Sequence, residues 1–551
     1  MGLFRGMNGR PLVFPATCFL WLAMAVGGAS AQPAPAGADA SQETSAAAVE
    51  GAPEGERFDI WEYRVEGNTL LPVDNVERAV YGFLGPGKSI DDVEAARRAL
   101  EQRYRDAGYG TVLVDIPEQD VEGGIVHLRV SEGKVSRLRV TGSRYFSLGR
   151  IRELAPSLAE GKVLYLPEVQ KDLAALNRAS SDRTITPVLR PGATPGTTEV
   201  ELKIKDQFPA HADLSLDDRF SRDTTRLRLN ATVRYDNLWQ REHSILLSYQ
   251  TAPQAPSEVE VFSGTYLFPI PNSENRIALY GVHSDSDVAA VGTLSVIGKG
   301  DIYGLRAIFP LPEIENGYHS LVLGADYKDF AESVALRDAD SLDTPIEYVN
   351  FLTEYNATAE DRSGLNRLNL GVNFGIRGLG NEEEEFEEKR FRSRPNYVYL
   401  QAGFARTQKL PWDASLFARV DGQLSGSPLI SNEQFSAGGV DSVRGYLESN
   451  VLADDGFTGT LELRSPSFAK TVWKALNDVK LIAFLDGGRM RLHDPLPLQQ
   501  SEFSLMSAGA GILVSAWDEL SASLYWAWPF EEEEPVRPGE SRLHFSVSYQ
   551  L

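Results

Sequence analysis

The chain has 551 residues, 42 % of them hydrophobic, with 48 glycines and a formal net charge of −23. That length leaves room for two or three domains, and the acidic balance offers no basic field to a phosphate backbone, which excludes nucleic acid as the main partner. Past residue 31 no apolar run reaches the ~18 residues of a spanning helix, which excludes a helical membrane protein.

The first element is the one long apolar run. Arg5 and Arg10 precede PLVFPATCFLWLAMAVGG, and Ala29-Ser30-Ala31 closes it. A charged start, an apolar middle and a small-x-small end predict a secretory signal peptide over 1–31. Cys18, the single cysteine, lies inside it, and Pro15-Ala16-Thr17 is not the small aliphatic box that precedes a lipidated cysteine. The exported chain is therefore expected to fold without a thiol, a disulfide or a cysteine metal site. Residues 32–56, rich in Ala, Pro, Gly and Glu, read as a flexible linker.

Between 57 and 207 a mixed α/β pattern occurs twice. Arg64-Val65-Glu66-Gly67-Asn68 is echoed by Arg139-Val140-Thr141-Gly142-Ser143, each ending an alternating segment. In the first copy Ser89 caps the helix SIDDVEAARRALEQRYRDAG, with Asp92 three residues on and Gly108 as the stop. In the second, LPEVQKDLAALNRAS plays the same part. The strands TVLVDI and IVHLRVSE close the first copy, RTITPVLR and TEVELKIK the second. The order β-α-α-β-β, repeated after roughly 75 residues, predicts two small domains in tandem, 57–133 and 134–207.

From 208 onward the helical period disappears. Leu227, Leu229, Ala231, Val233 and Tyr235 face one way, while Arg226, Arg228, Asn230, Thr232 and Arg234 face the other. The C-terminus alternates likewise, Leu543, Phe545, Val547, Tyr549 and Leu551 opposing His544, Ser546, Ser548 and Gln550. About sixteen such segments, the first at 210–217, the second at 224–236 and the last at 541–551, mark a membrane barrel, where strand number is even. A β-sandwich alternates too, but it has no reason to sort loop lengths. Here the gaps 285–300, 329–346, 378–395, 425–457, 490–502 and 530–540 all fall at one end, along with the acidic runs Glu382–Glu388 and Glu531–Glu534. Trp526 and Trp528 sit near a strand end, as an interfacial girdle would place them.

Residues 437–450 read AGGVDSVRGYLESN, an arginine on a glycine-hinged loop that is either a solvated tip or a group that docks. Arg226, Arg228 and Arg234 either line a path for a polypeptide or are the ordinary polar lining of a wet bore. The two acidic runs are either a surface cation site or solvated loops. No G-x-S-x-G, H-E-x-x-H or C-x-x-C is present, so no catalytic residue, cofactor or metal site is read.

Val443-Arg444-Gly445-Tyr446 and Phe484-Leu485-Asp486-Gly487-Gly488 are similar to the paired VRGY/F and F-x-D-x-G signatures of the TpsB transporters of two-partner secretion. The chain resembles that family of haemolysin-activator and filamentous-haemagglutinin transporters, within the BamA-type superfamily, over essentially all of its exported length. The resemblance implies a mainly β protein: two periplasmic α+β POTRA domains, then a 16-stranded antiparallel transmembrane β-barrel from 208 to 551. It implies that the loop 425–457 folds into the lumen and that Arg444 pairs with Asp486 on a wall strand carrying Phe484 and Gly488. It also implies an outer-membrane pore that takes an unfolded, TpsA-like, β-helical exoprotein at POTRA strand edges and passes it to the cell surface. The further partners it implies are outer-membrane lipid and the assembly machinery that inserts barrels. An assembly factor of the same superfamily and a passive porin or adhesin remain as alternatives.

The geometry permits the docking. Half of a roughly 30-residue loop, extended at about 3.3 Å per residue, reaches about 50 Å, while the apolar band is only about 25 Å tall. Arginine suits a bidentate grip on a carboxylate. With Asp486 inward, Phe484 and Lys480 also point inward and Leu481, Ala483 and Leu485 point to lipid. Some relatives carry an N-terminal plug helix; 32–56 is too short for both a tether and a spanning helix.

Overall fold

The computed structural model describes residues 57–551 apart from 195, 223, 272, 287, 292–293, 313, 332, 335–341 and 381. The signal peptide, the linker and the question of a plug helix lie outside the described residues. The chain forms two compact units, divided at residue 210.

In the N-terminal unit the helix Ile90–Asp106 starts at a capping box, Ser89 and Asp92 each satisfying the other's backbone. Its buried stripe, Val93, Ala96, Leu100 and Tyr104, recurs at helical spacing and packs with Val126, Leu128 and Val130 of the strand Ile125–Ser131. That strand is central, parallel to Glu62–Glu66 and antiparallel to Leu113–Asp115. A short pair that alternation does not reveal, Phe58–Ile60 with Gly85–Lys88, is added at the start.

Residues 134–206 repeat this layout. Thr197–Asp206 is central, parallel to Lys134–Thr141 and antiparallel to Arg183–Pro191, and the helices Leu148–Glu153 and Leu166–Arg178 intervene in sequence. The two glycines of the echoed segments account for the echo. Gly67 has φ +87°, and a Cβ there would lie 2.4 Å from the Val130 carbonyl oxygen; Gly142 has φ +92°, with the same 2.4 Å to Ile204. In both copies the first strand leaves its sheet by pressing bare backbone onto the central strand, which only glycine allows.

From Ala210 to Gln550 sixteen antiparallel strands close into a barrel, the first pairing with the last. All sixteen expected segments are present, and their ends move by at most four residues. The largest shift is that the second strand starts at Arg228 instead of 224, so Arg226 precedes the ladder. The seam is short: Ala210–Asp217 and Arg542–Gln550 share only five register positions, from Ser546↔Asp217 to Gln550↔Asp213.

The barrel is polar within and apolar without. Leu247, Phe262, Leu279, Leu323, Leu400, Leu461 and Leu481 are all about half exposed on the outer face, whereas Asn350, Asn369, Asn373 and Gln423 are buried on the inner one. The inner groups pair with one another, as in Asn350 to Asn373 at 3.2 Å and Gln401 to Gln423 at 2.9 Å. Turns at the end where the barrel begins are mostly short, and four of them, around 239, 412, 473 and 517, each present an exposed tryptophan. Trp473 and Trp517 meet edge to face at 6.1 Å, an arrangement suited to the membrane–water boundary. Near the opposite end Trp526 and Trp528 lie side by side, 4.6 Å apart.

The two faces respond differently to charge. Leu247→Arg, at mid-strand on the outer face, is expected to cost about 2–4 kcal/mol in bilayer or micelle. Ser248→Lys, the next residue and inward-facing, is expected to stay near zero, both read from denaturant titration of the heat-modifiable folded form.

A loop folded into the bore

The loop 426–454 joins Ser415–Ser425 to Asp455–Arg464 and turns back into the barrel as a hairpin. Its stem is a two-stranded ladder, Phe435–Ala437 with Val451–Ala453. The tip is buried: Val443 and Tyr446 are 0 % exposed and Arg444 3 %.

Every nitrogen of the Arg444 guanidinium donates to a wall carboxylate. Nε donates to Asp486 Oδ2 at 2.8 Å and Nη2 to Asp486 Oδ1 at 2.9 Å, a bidentate fork. Its backbone N–H also donates to Asp486 Oδ2 at 3.1 Å, and Nη1 donates to Glu462 Oε2 at 2.9 Å. Glu462 is shared, because Arg464 Nε reaches its other oxygen at 2.6 Å. The guanidinium lies 3.5 Å from the Phe484 ring centroid and 5.1 Å from that of Tyr525. In a desolvated setting such cation–π contacts are worth up to ~2 kcal/mol. Phe484 can lie there because residue 509 is glycine; a Cβ at that position would sit 2.4 Å from its ring.

The neighbours of Arg444 in the motif fix its depth. Tyr446 OH donates toward the carbonyls of Glu531 at 2.9 Å and Met506 at 3.2 Å. Gly445 has φ +102°, and a Cβ there would lie 3.3 Å from Ser507 Cβ and from Pro529 N. On the wall, Gly488 faces inward where a Cβ would meet the Phe457 carbonyl oxygen at 2.8 Å, so the hairpin side of that strand stays flat.

The stem is fixed with the opposite polarity. Glu433, 3 % exposed, accepts from Lys328 Nζ at 2.5 Å, Tyr348 OH at 2.5 Å and Tyr399 OH at 2.7 Å. Asp454 accepts from Arg390 at 2.8 Å, from the His493 backbone at 2.6 Å and from the Leu429 backbone at 2.8 Å. At mid-loop Asp441 pairs with Arg219 of the first surface loop. The tip thus brings a cation to acids of the wall, and the stem brings acids to cations of the wall and of a neighbouring loop.

Arg226, before the second strand, and Arg228 and Arg234 on it do not join this site. Arg226 donates to Leu543 O at 2.7 Å and Asp218 at 3.2 Å, Arg228 to Thr225 O at 2.6 Å, and Arg234 to Asp236 at 2.7 Å. The glutamates of 382–388 and 531–534 do not converge into a ligand set among the described residues. Sequence reasoning passed over Glu462, Tyr525, Glu433 and Asp454. Glu462 was within reach, because Leu461 and Leu463 flank it as lipid-facing neighbours, but its place beside Phe484 depends on the register Glu462↔Phe484.

Residues 196–514 match the family described as haemolysin secretion/activation protein ShlB/FhaC/HecB, and residues 58–133 match the ShlB-type POTRA domain. The chain belongs to this family. It is an outer-membrane transporter of the two-partner secretion type, with POTRA structure on the periplasmic side and the long loops at the cell surface. Among known relatives, the outer membrane transporter CdiB of Dickeya dadantii is 22 % identical over 499 residues, covering 88 % of this chain and 85 % of that protein. The heme/hemopexin transporter protein HuxB of Haemophilus influenzae is 19 % identical, over 74 % of this chain and 72 % of its own. The solved structure of CdiB from Escherichia coli superimposes with a TM-score of 0.62 at 19 % identity, over 92 % of this chain and 93 % of that one. BamA from Haemophilus ducreyi lacking POTRA domains 1–3 gives 0.55 at 16 % identity, over 90 % of this chain and 100 % of that one. These likenesses are of fold.

Removing Arg444 from this family member leaves Asp486 and Glu462 buried without their cation. Arg444→Ala is expected to weaken the docked tip by about 3–5 kcal/mol, seen as a fall of roughly two to four orders of magnitude in hydrogen-exchange protection of the 443–446 amides. Arg444→Lys keeps the charge but not the fork and is expected to fall between. Adding Asp486→Asn to Arg444→Ala recovers part of the loss, giving a coupling of about 0.5–3 kcal/mol in a double-mutant cycle.

Proposed function

We propose that this transporter takes one large, unfolded exoprotein from the periplasm and threads it outward through the bore, with the hairpin carrying Arg444 as the resident plug that must yield. The observation that carries the reading is the Arg444 site itself: a buried fork on Asp486, reinforced by Glu462 and Phe484, on a loop long enough to leave. Such a site gains little net stability against its desolvation cost, but it specifies one docked geometry. No nucleotide-binding motif is read in the sequence, and folding of the client outside supplies the direction.

We read residues 134–207 as a second POTRA domain on the strength of the shared strand order and the Gly67/Gly142 equivalence. Client capture is by strand addition, in which backbone bonds supply affinity and side-chain pockets supply selection. Each sheet leaves two strands paired on one side only, Glu62–Glu66 and the short Leu113–Asp115 in the first, Lys134–Thr141 and Arg183–Pro191 in the second. Lys134–Thr141 is partly covered at its start, where Val135 exchanges backbone bonds with Gly161 and Lys162; Arg183–Pro191 is the longest, but Pro187 removes a donor from its middle and blunts it. Glu62–Glu66 has no proline and pairs on one side only, with Ile125–Ser131. Tyr63, on that strand, is half-buried with its ring packed against the domain core, and burial followed by the charge of Asp92 pushes its phenol up to about 12.

Deleting the gene is expected to remove one large protein from the culture medium, and restoring the chain returns it. A photo-crosslinker in place of Arg64 is expected to capture that protein in transit, whereas one in place of Thr186 on the proline-bearing edge is not. An unchanged secretome, with no protein lost, would count against the transport reading.

A further inference from the structure

The cell-surface mouth of the bore departs from the polar lining found elsewhere in the barrel. Near that end inward positions on several strands carry Val261, Val282, Ile302, Tyr348 and Tyr399, joined by Tyr397 just before its strand begins, all at most 5 % exposed. An apolar collar inside a water-filled bore is costly unless something covers it. Part of the cover is Leu429 and Ile430 from the stem of the plug hairpin. Ala252 and Val259, between the third and fourth barrel strands, add to it, and a further part comes from a different loop. Residues 376–397 hold the helix Glu383–Lys389, whose sequence EEEFEEK contains a single apolar side chain. That side chain, Phe386, is 1 % exposed and lies 5.6 Å from the Tyr348 ring and 6.2 Å from the Tyr397 ring. Glu383, Glu384, Glu387 and Glu388 remain on the exposed side.

The helix is also tied to the stem of the plug. Arg390, just past its last turn, donates to Asp454 at 2.8 Å and to the His493 carbonyl at 2.9 Å. Lys389 donates to the Thr344 carbonyl at 3.3 Å, and Ser393 Oγ donates back to the Phe386 carbonyl. Asp454 is therefore gripped by the same loop that inserts Phe386.

We propose that the helix Glu383–Lys389 is a lid, keyed into the apolar collar by Phe386 and latched to the plug by Arg390, so that the pore carries two barriers in series. Release of the Arg444 tip opens only the inner barrier. The outer one opens when Phe386 leaves the collar, and the emerging client then passes an exposed apolar ring that the lid had covered. The inference rests on the pore reading given above, and its test separates the two.

Conductance in planar bilayers is measured for Arg444→Ala, for Phe386→Ala with Arg390→Ala, and for the three substitutions together, each first shown to keep the heat-modifiable mobility of a folded barrel. Each of the first two is expected to raise mean conductance less than about twofold, and the triple variant on the order of tenfold or more, as for two barriers that must both be absent. Full opening by Arg444→Ala alone, with nothing added by the lid substitutions, would overturn the lid. A triple variant as silent as the parent would sink the pore reading and the lid with it. A second readout is independent of current: with Val282→Cys, a collar position in the same buried cluster as Phe386, a bulky membrane-impermeant maleimide added to intact cells is expected to label slowly at rest. Adding Phe386→Ala and Arg390→Ala is expected to speed labelling at least about tenfold. Rapid labelling of Val282→Cys at rest would show that the collar is not covered and would also overturn the proposal.

Discussion

Hydrocarbon supplies no hydrogen bonds, and that single constraint organises the C-terminal two-thirds of this chain. Every strand N–H and C=O in the bilayer has to find a partner on a neighbouring strand, so the sheet must close, and sixteen strands closed on themselves enclose a bore. Closure also dictates which side each residue serves. The apolar half of each dyad goes to lipid, and the polar half faces an interior where Asn and Gln side chains answer one another. The enclosed space is then a liability to the cell, and the rest of the barrel unit concerns how it is filled.

The filling element is positioned by a reversal of charge along its length. At its tip the hairpin carries Arg444 to Asp486 and Glu462; at its base it carries Glu433 and Asp454 to Lys328 and Arg390. A hairpin that slid along the bore or entered in another register would set acid against acid, an arrangement that costs several kcal/mol by order of magnitude. One depth is therefore selected against the others, more by what the alternatives would bring together than by the strength of any pair. The aromatic floor under the guanidinium and the glycine at 509 that admits it add shape to that selection.

Much of this was legible from sequence, for identifiable reasons. The strands were legible because a two-residue period sustained over about ten residues is what a strand with two unlike faces produces and a helix does not. The loops were legible because their lengths sort by end. The helix after Ser89 announced itself through its capping box. Arg444 and Asp486 were found through a motif resemblance, since nothing in their spacing alone requires them to meet. What escaped depended on neighbours across the sheet. Glu462 and Tyr525 join Arg444 because of register, and a shift of one position would have sent both to lipid. The second strand begins later than its alternation suggests, because Arg226 continues the pattern while its guanidinium is spent on Leu543 and Asp218 across the seam. Phe386 was hidden most thoroughly: one phenylalanine among six glutamates reads as a solvated loop until the collar beneath it is seen.

The tryptophans at the short turns bear on a mechanical question. A polypeptide dragged through a narrow tube pulls on the tube, and a barrel in a fluid bilayer has no fixed footing. Trp239, Trp412, Trp473 and Trp517 form a rim of indoles at the inner leaflet, each comfortable where hydrocarbon gives way to headgroups and uncomfortable on either side. Outward traction would force those rings into the greasy layer together, so the rim acts as a keel that keeps the tube from riding up with its cargo.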